Sequence, residues 1–154
     1  MAEQTGLSDL CGEDTELAQE VIQLLVAMGG RLGQHFAARA AEFGLSMAEG
    51  KVLLALEPGD PVPMRVLARK LNYDASNLTG VVDRLENRGR VERRTSPGDR
   101  RIKAIALTAA GLRVRDDLWR RLRSDGGPVD TLTDTQLRDL RRLLRLALDD
   151  GGKH

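Results

Sequence analysis

A chain of 154 residues is long enough for one domain of ordinary size with a real core. Only 3% of it is aromatic and 31% is charged, so the core must be aliphatic, which suits packed helices, and no apolar run approaches the length of a membrane span. The formal net charge of +1 says little about partners, but its distribution says more. No Lys or Arg precedes Arg31, whereas Glu3, Asp9, Glu13, Asp14, Glu16 and Glu20 do, and the basic residues gather between Leu67 and Arg123. That asymmetry is expected when one region meets a polyanion and another does not.

The N-terminus lacks the basic-then-apolar pattern of a secretion signal, so the expected compartment is the cytoplasm and no membrane partner is expected. The lone Cys11 cannot form an intrachain disulfide, and it falls before the acidic start of the first predicted helix. That helix is expected from about Asp14 to Ala41, with Leu17, Val21, Leu24, Leu25, Met28, Leu32 and Phe36 at helical spacing. Gly29-Gly30 is expected to interrupt it, by a bend or by the close approach of another segment.

A second helix is predicted over 45–56, with Ser46 and Glu49 at capping-box spacing, and Glu57 to Pro63 reads as a loop. Met64 to Leu71 gives a short helix in which Val66, Leu67 and Leu71 share a face; Asn72 and Tyr73 then form a turn. From Asp74 to Gly89, Leu78, Val81, Val82 and Leu85 form an apolar stripe, opposite Ser76, Asn77, Gly80, Asp83, Arg84 and Asn87. Asp74 is expected to cap this helix through its side chain, and Gly89 to end it. Two short helices joined by so short a turn form a helix-turn-helix, in which the second helix lies in the major groove.

Arg90 to Thr95 and Arg101 to Leu107 read as strands flanking a turn at Ser96-Pro97-Gly98-Asp99. A basic hairpin directly after a recognition helix is a wing. Thr108 to Arg123 is a further predicted helix, broken by Gly126-Gly127-Pro128, and the last begins at Thr133, where Gln136 completes a second capping box. Its stripe is Leu137, Leu140, Leu143, Leu144 and Ala147. The fold class that results is mainly α with a small β-hairpin wing: a winged helix-turn-helix between long N- and C-terminal dimerisation helices. The expected divisions are a dimerisation region at 1–44, a DNA-binding domain at 45–111 and C-terminal helices at 112–154. Helices at both ends carry stripes that one subunit cannot cover. Two-fold association would cover them and set two recognition helices about one DNA turn apart, on the order of 34 Å.

Four pieces, in order, resemble the MarR family of bacterial transcription regulators: Leu67-Ala68-Arg69-Lys70-Leu71, Leu78-Thr79-Gly80-Val81-Val82-Asp83-Arg84-Leu85-Glu86, Asp99-Arg100-Arg101, and Leu107-Thr108-Ala109-Ala110-Gly111. The resemblance implies a sequence-specific regulator, commonly a repressor, that binds double-stranded DNA with a palindromic operator as a homodimer. It also implies that Arg101 enters the minor groove with Asp99 orienting it, and that a small-molecule effector binds a cleft between the dimer region and the DNA-binding lobe. Leu32, His35, Phe36, Met47 and Trp119 are the residues expected to line that cleft.

By position, Ser76, Asn77 and Thr79 are the expected base readers, since Asn pairs bidentately with adenine whereas Ser and Thr read tolerantly. Gly80 would let the duplex approach the backbone, and Arg84 would contact a phosphate or pair with a wing carboxylate. Arg94, Arg100 and Lys103 are the expected phosphate contacts. No activated nucleophile, metal-ligand spacing or phosphate-cradling glycine loop is present in the sequence, so neither enzymatic chemistry nor a cofactor is expected. Two other readings stand beside this one: a winged-helix module that binds protein, and a redox sensor built on Cys11. The neighbours Glu13 and Asp14 weigh against the second, because they would raise a thiol pKa.

Overall fold

A computed structural model describes residues 7–96, 99–124 and 126–149, with the side chains of 15–95, 103–124 and 126–149. Six α-helices and three strands follow in the order α1 (Leu7–Ala41), α2 (Met47–Ala55), β1 (Val62–Pro63), α3 (Met64–Leu71), α4 (Ala75–Asn87), β2 (Val91–Ser96), β3 (Asp99–Leu107), α5 (Ala109–Ser124) and α6 (Asp134–Asp149). A single 3-10 turn, Gly127–Val129, separates α5 from α6.

Local signals are realised closely. Ser46 caps α2, its Oγ accepting from the Glu49 N–H at 3.2 Å while the Glu49 carboxylate accepts from the Ser46 N–H at 2.9 Å. Thr133 and Gln136 make the same reciprocal pair before α6, at 2.9 and 3.3 Å. Each pair satisfies two donors that a helix start leaves open. Between α3 and α4, Asn72 turns left-handed (φ 53°), the one non-glycine residue to do so among those described, and its N–H closes the end of α3 on Ala68 and Arg69. Gly89 (φ 66°) ends α4 as expected.

Four expectations are corrected. Helix α1 starts at Leu7, so Cys11 lies within it rather than ahead of it. It also runs unbroken through Gly29-Gly30, around which no other atom of the chain comes within 4 Å of an added Cβ. Two glycines weaken a helix by roughly 1 kcal/mol each without breaking its hydrogen bonds, so they are tolerated inside a helix this long. Asp74 occupies the cap position of α4 but makes no capping hydrogen bond; its Oδ2 instead accepts from Asn77 Nδ2 at 3.5 Å. The loop after α2 contains β1, whose Val62 and Pro63 pair with Ile105 and Ala104 to make a three-stranded antiparallel sheet in the order β1-β3-β2. Pro63 is accommodated because β1 is an edge strand.

The core is aliphatic and sits where α2, α3, α4, the sheet and α5 meet. Leu53, Leu56, Leu67, Leu78, Leu85, Ile105 and Leu118 are fully buried, each contributing roughly 1.5–3 kcal/mol on removal from water. Phe36 and Ala40 from the end of α1, and Leu118 and Leu122 from α5, join the same cluster. The helix-turn-helix is thereby packed continuously onto its flanking helices. The Glu42 carboxylate adds a surface tie between the α1 end and α5. It accepts from Arg121 Nε at 2.7 Å and from Arg39, and these two guanidiniums, Arg121 foremost, hold it below the usual carboxylate range.

Away from that junction the apolar stripes are open. On α1, Leu17, Val21, Ile22, Leu24, Leu25, Val26 and Leu32 are exposed, and on α6 so are Leu143, Leu144, Leu146 and Leu148. No residue of α6 is buried.

Candidate nucleic-acid interface

Helix α4 buries Leu78, Val81, Val82 and Leu85 and turns its other face to solvent. Ser76, Asn77 and Thr79 are exposed in its first two turns. Together with Tyr73, Gly80 and Arg84 from the turn and helix, Ser76 and Asn77 line an open groove of about 380 Å³. The Thr79 hydroxyl donates to the Ala75 carbonyl at 2.8 Å, so its proton is committed and its free lone pair faces outward as an acceptor.

Gly80 keeps the centre of this face low. A Cβ built there would meet Arg84 NH1 at 3.6 Å, an ordinary contact, so the folded chain has room for alanine. Gly80→Ala should therefore leave the protein as stable or stabilise it by up to about 1 kcal/mol, since alanine favours the helix, while weakening DNA binding if the duplex approaches the backbone here. A thermal melt paired with an anisotropy titration checks this. Affinity equal to wild type would remove Gly80 from the contact surface.

The wing is bracketed to α4. Arg93 on β2 pairs through its guanidinium with Asp83 and Glu86 on α4, and its backbone N–H donates to Glu86 Oε1 at 3.3 Å. The hydrogen bond that Arg93 donates to Asp83, ahead of the coulombic pull of Glu86 and Asp83, raises the Arg93 pKa above its ordinary value. Two carboxylates on one helix thus hold one strand of the hairpin and fix where the wing leaves the recognition helix. Charge alternation in the sequence carries no signal of this bracket, which joins residues seven and ten positions apart across a turn.

Arg94 is exposed on β2, where its Nε donates to Glu92 Oε1 at 2.7 Å, and Lys103 is exposed on β3 opposite Thr95. Surface pairs of this kind are worth about 0–1 kcal/mol, so Glu92 holds Arg94 only weakly. Asp99, Arg100 and Arg101 belong to β3 by backbone, with Asp99 registered opposite Ser96 beyond an irregularity at Thr95/Ser96. Their side chains lie outside the described residues, as do Pro97 and Gly98 of the wing turn.

Arg84 needs a correction. The carboxylate it meets is not on the wing but on α2: Arg84 Nε donates to Glu49 Oε1 at 3.3 Å. Arg88, one turn on, donates to the Gly44 carbonyl at 2.7 Å and lies 3.5 Å from Glu49 Oε2.

Of the five residues expected to form an effector cleft, His35 and Trp119 line two different cavities. His35 lines an open cavity of about 480 Å³ with Arg31, Gln34, Arg39, Gly127 and Pro128. Trp119 lines another, of about 380 Å³, with Arg115, Asp116, Arg120 and Arg123, and the Arg123 guanidinium stands 5.9 Å from its ring. Phe36 packs against Gly50, Met47 reaches toward Gly33, and Leu32 is exposed. Among the described residues no three His, Cys, Asp or Glu side chains converge as a metal site, and no helix is long and apolar enough to cross a membrane.

A family model described as the MarR family matches residues 43–102, the span from the α1 end to the wing. An uncharacterised HTH-type transcriptional regulator of Bacillus subtilis, YcgE, is 31% identical over 103 residues, covering 66% of this chain and 67% of its own. The matched stretches span 67%, 60% and 47% of the first three curated relatives. Among solved structures, CouR of Rhodococcus jostii bound to p-coumaroyl-CoA is similar at a TM-score of 0.72 and 34% identity, over 84% of this chain and 92% of that one. A MarR-family transcriptional regulator of a Rhodococcus species is similar at 0.72 and 30% identity, over 92% and 96%.

Proposed function

Since this chain belongs to the MarR family of transcription regulators, we propose that it is a homodimeric repressor that reads a palindromic operator with two copies of α4 and two wings. The observation that carries the reading is the exposed polar start of α4, Ser76, Asn77 and Thr79, beside a wing held to the same helix by Arg93. In this reading Asn77 reads a base edge, Ser76 and Thr79 read tolerantly, Gly80 admits the backbone with Arg84 beside it on its Glu49 tether, and Arg94, Arg100 and Lys103 hold phosphates. Arg101 enters the minor groove with Asp99 beside it, because arginine matches the deepened negative potential of a narrow groove.

Effector release belongs to the same proposal. CouR is bound to p-coumaroyl-CoA, and an anionic aromatic acid or its thioester is the class we carry over to this chain. The arginine-lined cavities at His35 and at Trp119 support that class by charge. A ligand preferring the widely spaced dimer would release DNA by shifting the population.

The test is an anisotropy titration of the duplex flanking the protein's own gene at two salt concentrations, with unrelated duplex as competitor. Binding should weaken steeply with salt through counterion release, and Arg101→Ala should lose roughly 1–3 kcal/mol of affinity with the dimer intact. Salt-insensitive binding, or none beyond the competitor with every duplex tried, would favour a protein partner for the winged helix.

A further inference from the structure

Glu49 is the one buried charged residue among those described, at 4% exposure. A buried carboxylate is stable only when its lone pairs are satisfied, and here the partners come from two places. One is local, the Ser46 N–H of the capping box at 2.9 Å. The other two are guanidiniums from the recognition helix: Arg84 Nε at 3.3 Å on Oε1, and Arg88 NH1 at 3.5 Å on Oε2.

The spacing of those two arginines matters. Four residues span about 6 Å of helix, so α2 grips α4 at two points one turn apart. The apolar stripe of α4 packs the helices together and limits the roll of one on the other. A two-point ionic contact with a buried carboxylate narrows what roll remains. With a side-chain radius of roughly 5–6 Å, a 10° roll of α4 moves a reading side chain by about 1 Å, and a binding constellation tolerates only about 0.5 Å. The grip also aims Arg84. With Nε held by Glu49, its NH1 lies over Gly80, 3.6 Å from an added Cβ, on the face that carries Ser76 and Asn77.

We infer that Glu49 is a positioning residue for sequence reading, setting the roll of α4 through Arg84 and Arg88 without touching DNA. This rests on the DNA-reading proposal above. Glu49→Gln keeps an acceptor for the Ser46 N–H but removes the charge that holds the guanidiniums.

The probe is the tightest duplex that the wild-type protein selects from a random-sequence pool, against a scrambled duplex of the same composition. Folded Glu49→Gln should lose about tenfold in the ratio of selected to scrambled affinity, while its salt slope on the scrambled duplex steepens by about one as Arg84 turns to phosphate. Arg84→Ala added to Glu49→Gln should lower the ratio no further, because the two act as one unit. An unchanged ratio and slope in a folded Glu49→Gln protein, or additive losses, would overturn the inference alone. If Glu49→Gln does not fold, Arg88→Ala at the exposed end of the grip replaces it, with the same fall expected and an unchanged ratio overturning the role. A wild-type protein that selects no sequence would overturn DNA reading and this role together.

Discussion

Gly111→Ala, at the one glycine of α5, is expected to destabilise the protein by about 3 kcal/mol or more. A Cβ at Gly111 would fall 1.8 Å from the Arg90 carbonyl oxygen and 2.8 Å from its carbon. Those are backbone atoms, so no side-chain rotation relieves the overlap. The Arg90 carbonyl is moreover held by Thr108: it accepts from the Thr108 N–H at 3.1 Å, while the Thr108 hydroxyl donates to the neighbouring Gly89 carbonyl at 2.7 Å and accepts from the Gly111 N–H at 3.0 Å. The start of α5 therefore sits on the chain just where α4 ends and the wing begins. Overpacking commonly costs about 1–3 kcal/mol when side chains can give, and here a hydrogen-bonded corner must move instead. For a chain of this size the melting point should drop by roughly 10 °C. Urea and thermal melts read by circular dichroism check it; a midpoint within a degree or two of wild type would show that the corner yields easily. Gly29 and Gly30, with open space around them in the chain, offer the contrast.

That corner also shows what a sequence carries and what it omits. The run Leu107-Thr108-Ala109-Ala110-Gly111 was readable as part of a family pattern and as the start of a helix, but the reason for its glycine was not, since Arg90 is 21 residues away and the contact is made by backbone. The same division recurs elsewhere. Both capping boxes were legible because each is closed within four residues, and α3 and α4 because their apolar spacing is periodic over two to four turns. Strand β1 was missed because two residues carry no period, and its pairing with Ile105 and Ala104 is made across more than forty positions. The early part of α1 was not legible because Glu13 and Asp14 read as an acidic helix start. For Arg84 the sequence offers a phosphate or a wing carboxylate, and its contact with Glu49 is not legible there because only folding brings α2 alongside α4.

The second large effect is expected at the exposed stripe of α1. Val21→Glu with Leu25→Glu, one turn apart, should convert a dimer into single chains. In one chain these residues are 45% and 48% exposed, and with Leu17, Leu24 and Leu32 they form an apolar surface open among the described residues. Helix α6 has no buried residue, yet it keeps Leu143, Leu144, Leu146 and Leu148 on a 16-residue helix. Isolated helices of that length are marginal in water and draw their stability from packing, so a surface that covers these leucines is expected to stabilise α6.

A second copy is the simplest supplier, because a two-fold interface uses each stripe residue twice. Burying one Val or Leu is worth roughly 1.5–3 kcal/mol, so losing two positions on both copies, and placing four carboxylates there instead, should weaken association by well over a hundredfold. Wild-type protein should elute at twice its 16.9 kDa chain mass, and the variant at one. The variant's α6 should lose helicity while the core around Leu53, Leu67 and Leu85 still melts cooperatively. Its operator affinity should fall by about 10²–10⁴, since two half-sites are no longer engaged by one tethered pair of helices. A variant that still elutes as a dimer would place the interface elsewhere. A wild-type protein that elutes as one chain would instead leave the stripes of α1 and α6 to a different partner.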